Sequence, residues 1–114
     1  MNDPAKCQLI GRWRIFEANI WDRDYLDLCG PAMIAISDSG HGEIAFGAIQ
    51  AGLNIRYSRC SIDFTWDGSD EMDEIHGIGS AELLDDGTIE IEFNFHNGDD
   101  AVLKAKRDAS SAAG

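Results

Sequence analysis

Apolar and polar residues alternate with a period of two along most of this chain. Residues 88–96, TIEIEFNFH, put Ile89, Ile91, Phe93 and Phe95 on one face and Glu90, Glu92 and Asn94 on the other. That is the pattern of a strand with one side in a core and the other in water. DDG at 85–87 and NGDD at 97–100 are turn signals on either side. Residues 77–107 therefore read as three antiparallel strands in a meander.

The same grammar recurs upstream. AMIAIS and EIAFGAI flank DSGHG at 38–42, which predicts a hairpin. LNIRYSR and CSIDFTW follow, with Leu53, Ile55 and Tyr57, then Ile62, Phe64 and Trp66, at alternate positions. A first strand is expected over about 9–20, and its apolar parity switches near Phe16, which predicts a β-bulge or sharp bend. Only WDRDYLDLCGP at 21–31 departs from the pattern. With Asp22 as a helix start and Gly30-Pro31 as a stop, it reads as one short helix or flap. The prediction is an all-β chain of about eight strands in an up-and-down meander. Closure into a small barrel removes exposed edges; a sandwich is the alternative.

At 114 residues the chain is long enough for one domain with a core of its own. That domain is expected over 9–107, with a flexible 1–8 and a disordered tail at 108–114. No signal peptide or membrane span is expected. Cys7, Cys29 and Cys60 are odd in number and widely spaced, which points to a reduced, cytoplasmic setting rather than a disulfide framework.

Charge changes the picture more. The net charge is −12. Residues 60–100 hold thirteen acids and no Lys or Arg, whereas six of the nine basic residues precede that block. Such a field repels nucleic acid and anionic membrane, and it attracts a basic protein surface. The plainer reading is solubility.

LIGRWRIF at 9–16 carries a resemblance. Gly11 and Trp13 on the first strand, a short helix or flap and then a meander resemble the calycin group, the lipocalins and fatty-acid-binding proteins. The resemblance implies that Trp13 closes one barrel end and that Lys106 or Arg107, from the basic end of the last strand, packs over its ring. It also implies a small apolar ligand as one class of binding partner. The chain further resembles small bacterial proteins of unknown function that share the GRWRI…WD.DY opening and the W.G.DE.D…G.G segment.

Candidate chemistry concentrates in WDGSDEMDEIHGIG at 66–79, whose acidic stretch is read as a loop between two strands. Asp67, Asp70, Glu71, Asp73 and Glu74 crowd eight residues, and with Glu90 and Glu92 they form the candidate acidic binding surface. Hard cations take several carboxylate oxygens, but the spacing is not that of an EF-hand, and turn-capping, solvated carboxylates are the simpler reading. His41, His76 and His96 sit in or beside predicted turns without zinc-ligand spacing. No metal site or cofactor is expected. Glu74 beside His76 offers an acid–base pair, and with it a hydrolase or isomerase reading, but no nucleophile motif accompanies it. Gly77 and Gly79 share one strand face, leaving room for a cavity or marking a bend. The bulk of Trp13, Phe46, Phe64, Phe93 and Phe95 favours a filled interior. Trp21 and Tyr25 are candidates for a lid or for a plug of the barrel end. The leading expectation is a non-enzymatic module that engages a basic partner, such as an inhibitor or immunity-type protein. The calycin-type ligand binder is the alternative.

Overall fold

The computed structural model describes residues 9–19, 23–27, 30–70, 72–96, 98 and 100–107. In chain order they form β1 (Gly11–Ala18), α1 (Arg23–Leu26), β2 (Met33–Ile36), β3 (His41–Phe46), β4 (Ile49–Tyr57), β5 (Ser61–Asp70), β6 (Asp73–Leu83), β7 (Ile89–Phe95) and β8 (Asp100–Arg107). Each strand pairs antiparallel with the next, and β8 pairs with β1, so the eight strands close into a barrel. The sandwich alternative is excluded by that closure.

Alternation in the sequence becomes alternation of burial. On β4, Ile49, Ala51, Leu53, Ile55 and Tyr57 point inward while Gln50, Gly52, Asn54 and Arg56 face out. On β7, Ile89, Ile91 and Phe93 are buried, Phe95 is half-buried, and Glu90 and Glu92 are exposed. The parity switch in β1 is a register shift between Ile15 and Glu17 on the β8 side, which leaves Phe16 as the extra residue.

Two expectations need correction. EIAFGAI is not one strand: β3 stops at Phe46, Gly47 turns with φ of 59°, and β4 begins at Ile49. A positive φ suits glycine and breaks the extended run. The acidic segment at 66–79 is not a loop either. β5 continues to Asp70 and β6 starts at Asp73, and these two residues pair. Its acidic, glycine-rich composition argued for a loop, but the ladder satisfies the backbone while the outward side chains stay in water.

The two barrel ends are closed differently. At one end Trp13 is 1% exposed, and its indole N–H donates to the Leu9 carbonyl at 2.9 Å. The Arg107 guanidinium carbon lies 4.2 Å from the Trp13 ring centroid, and Nη1 donates to the Ile10 carbonyl at 2.8 Å. Gly11, with φ of 134°, lies beneath that guanidinium: a Cβ there would meet Arg107 Nη1 at 2.3 Å. Of the two basic residues expected over Trp13, Arg107 takes the position; Lys106 lies over Phe16, 5.9 Å from its centroid. At the other end Leu26 is buried and its carbonyl accepts from the Gly47 N–H at 2.8 Å. Asp27 ties this cover to the wall, pairing with Arg14 at 2.9 Å and accepting from the Ala32 N–H at 3.0 Å.

Between the ends the barrel is filled. Trp66 and Phe93 stack at 4.2 Å, and Phe46 meets Phe93 edge-on at 5.3 Å. Phe95 meets both Trp66 and Phe93 edge-on, each at 5.3 Å. Aromatic pairs of this kind contribute about 0.5–1.5 kcal/mol each beyond the area they bury.

Candidate functional site

β5 and β6 form the longest hairpin of the barrel; Asp63, Asp67, Glu74 and Glu82 lie on its outward face, and Asp70 and Asp73 pair at its tip with the parity of the inward face. Along it Ser69 lies opposite Glu74, Asp67 opposite His76, Thr65 opposite Ile78 and Asp63 opposite Ser80. The tip of this hairpin, the β3–β4 turn and α1 lie at the same barrel end, because every second strand reverses direction.

The acids divide into two groups. Asp67, Asp70, Asp73 and Glu74 lie toward the tip. Glu90 and Glu92 lie farther along the wall: Glu90 is opposite Glu82 and Lys104, and Glu92 is opposite Ser80 and Val102. Ser80 is four residues from His76 on β6, about 13 Å at 3.3 Å per residue. The expected surface is therefore not one cluster: it divides into a tip patch that draws on both faces of the hairpin and a wall patch. Basic residues lie opposite acids away from the tip, Arg56 opposite Asp63 and Lys104 opposite Glu90. Among the described residues the ion pair is Arg14–Asp27, and none of the tip acids joins one. Glu71 and Trp21 fall outside the described residues, as do 1–8 and 108–114.

His76 is not in a turn, as its surroundings in sequence suggested. It sits within β6 and stacks on His96, with centroids 4.4 Å apart and planes 29° apart. Glu74 shares its outward face on β6 but forms no ion pair with it. Among the described residues no three His, Cys, Asp or Glu side chains gather as a cation's ligand set. The stack escaped sequence reasoning because it depends on the β6–β7 register, in which Gly77 opposes Phe95.

Gly77 and Gly79 face inward, opposite Trp66 and Phe64. A Cβ on Gly77 would lie 1.9 Å from the Asn94 carbonyl oxygen and 2.8 Å from the Trp66 ring. On Gly79 it would lie 2.6 Å from both the Phe64 ring and the Glu92 carbonyl oxygen. The room these glycines leave is taken by the two aromatic rings, so at these positions the wall holds no cavity. Tyr25 lies against Gly47, where a Cβ would approach its ring to 2.3 Å, and so packs on the covered end of the barrel.

An open groove of about 770 Å³ runs along β5 and β6 on the outer wall, bordered by Asn54, Thr65, Asp67, His76, Ile78 and His96. Ile78 is 61% exposed on its floor, and Met72 at the hairpin tip is 97% exposed. Exposed apolar side chains rimmed by charge are the usual makeup of a recognition surface. β7 pairs with β6 only from Gly77 onward, so Asp73–Ile75 pair on the β5 side alone.

No helix among the described residues is long and apolar enough to cross a membrane. Compared with family models, curated protein sequences and solved structures, the chain matches none of them.

Proposed function

We propose that this chain is a non-enzymatic binding module, a calycin-type barrel that recognises a basic protein surface through the tip of its β5–β6 hairpin. One observation carries the reading: Asp67, Asp70, Asp73 and Glu74 are gathered at the tip, and none forms an ion pair with a described residue. Like charges held together cost free energy unless a counter-charge arrives, and a basic partner supplies it. Ile78 and Met72 add exposed apolar surface beside the acids. The apolar-ligand reading needs an internal void, and Trp66 stacks on Phe93 in the middle of the barrel. A cytoplasmic setting suits the exposed, unpaired Cys60 thiol.

The test is a pull-down from lysate with wild type and with Asp70, Glu71 and Asp73 all changed to Lys. Each is run at about 0.1 M salt, where screening extends over roughly 10 Å, and at about 1 M, where it falls to roughly 3 Å. Wild type should retain basic proteins at low salt and release them at high salt. The triple variant should retain none while keeping the wild-type circular dichroism spectrum. Retention of the same proteins by both chains at both salts would leave the acids a solubility role only.

A further inference from the structure

Among the described residues, β6 has an edge segment that pairs with no strand. The His96 N–H donates to the His76 carbonyl at 2.9 Å, so the His76 backbone points toward β7. Backbone direction alternates along an antiparallel strand, so Glu74, two residues earlier, also turns its N–H and C=O to the β7 side. The β6–β7 pairing begins only at Gly77, and no described strand lies beyond Glu74 on that side. Beside this edge is a notch of about 160 Å³ lined by Glu74, Ile75, His76, Phe95 and His96. Ile75 and Phe95, both half-buried, sit on the inward face, while Glu74 and His76 face out. The notch is well below the roughly 300–1,000 Å³ of small-molecule pockets, and its size suits a single aliphatic side chain.

We infer that an extended segment of a basic partner adds to β6 at Asp73–Ile75, antiparallel and on the β7 side. It places apolar residues toward Ile75 and Phe95 and basic residues beside Glu74 and Asp67. The inference rests on the basic-partner reading above and specifies how that partner is held. Backbone hydrogen bonds to an exposed edge supply affinity, and alternate side chains supply selectivity. Charge selects the occupant. A second copy pairing along the same edge would bring Asp73 and Glu74 against their own counterparts, which is how edge strands resist self-association. A lysine-bearing strand meets the opposite sign.

The geometry gives a test with no change to the protein. The probe is a capped hexapeptide of alternating lysine and valine, titrated against the full chain at low salt. In an antiparallel ladder the residue opposite Glu74 shares its outward face and turns its N–H toward β6. Those residues are the lysines. N-methylation of the lysines should weaken binding about fivefold, as expected when the backbone hydrogen bond to the Glu74 carbonyl is lost. N-methylation of the valines, whose N–H groups point to solvent, should change it less than about twofold. The Glu74 amide should become protected from hydrogen exchange on binding. If all three peptides bind alike, attraction is by charge alone: the edge inference falls and the acidic-surface reading stands. The same holds if the peptide fails to bind while the pull-down still captures basic proteins. If neither binds, both fall. A dimer formed at this edge, seen by sedimentation and not displaced by the peptide, would also overturn the inference.

Discussion

Trp13 shows what a single residue contributes to this fold. Its ring is roofed by Arg107, its N–H is satisfied by Leu9, and Gly11 leaves space for the guanidinium. Trp13→Ala should cost about 3–5 kcal/mol, measured by urea unfolding, because it removes a large core side chain and strands the guanidinium above a void. That Trp13 would be buried was legible from its spacing to Gly11 and its place in the first apolar run. Which cation covers it was not. The bulge at Phe16 sets the β1–β8 register, and that decides whether Arg107 or Lys106 meets the indole. Asp86 is a second local case. The Thr88 hydroxyl donates to its carboxylate at 2.6 Å and the Thr88 N–H at 3.0 Å, and these bonds hold its pKa below the usual carboxylate range. A pKa lower in the folded than in the unfolded chain gives stability that is present above the unfolded value. That stability is lost as pH falls through the folded one. Thr88→Val should therefore raise the Asp86 pKa toward its ordinary value, read by NMR titration, and flatten that part of the acid limb.

At the scale of strands, β7 and β5–β6 mark how far sequence patterning reaches. Period-two alternation placed Ile89, Ile91 and Phe93 inside and Glu90 and Glu92 outside without reference to any partner strand. Phe93→Asp should abolish soluble folding, since it puts a charge between Trp66 and Phe46. Glu92→Lys should shift stability by no more than about 0.5 kcal/mol. Thermal melts of the two variants compare them directly, and equal losses would mean the face assignment is wrong. The segment at 66–79 was harder to read because acids and glycines are poor strand formers by themselves. Its strand character comes from cross-strand packing: Gly77 and Gly79 lack side chains where Trp66 and Phe64 fold over them. The acidic residues were legible as a group. Their division into a tip patch and a wall patch, and the His76–His96 stack, depend on strand register and were not.

For the whole molecule, closure is the governing fact. The eighth strand returns to the first, pairing Trp13 with Arg107 and Ala18 with Leu103. A strand count and short turns made a barrel the economical expectation, and the ring of hydrogen bonds is what sets it apart from a sandwich. The ring also means that strand order is cyclic: nothing in the packing marks β1 as first. Trp13 lies beside Arg107, so a short glycine–serine bridge from Arg107 to Leu9 would join β8 to β1 and keep the Leu9 and Ile10 carbonyls that Trp13 and Arg107 use. The chain can then be cut elsewhere, and the exposed turn at Asp85–Asp86–Gly87 is a suitable place. A permutant that begins at Thr88 and finishes at Gly87 should fold to the same barrel with a similar melting temperature. It would carry its chain ends between β6 and β7, two strands around the ring from the β8–β1 seam that holds Trp13, free to be tethered away from that seam.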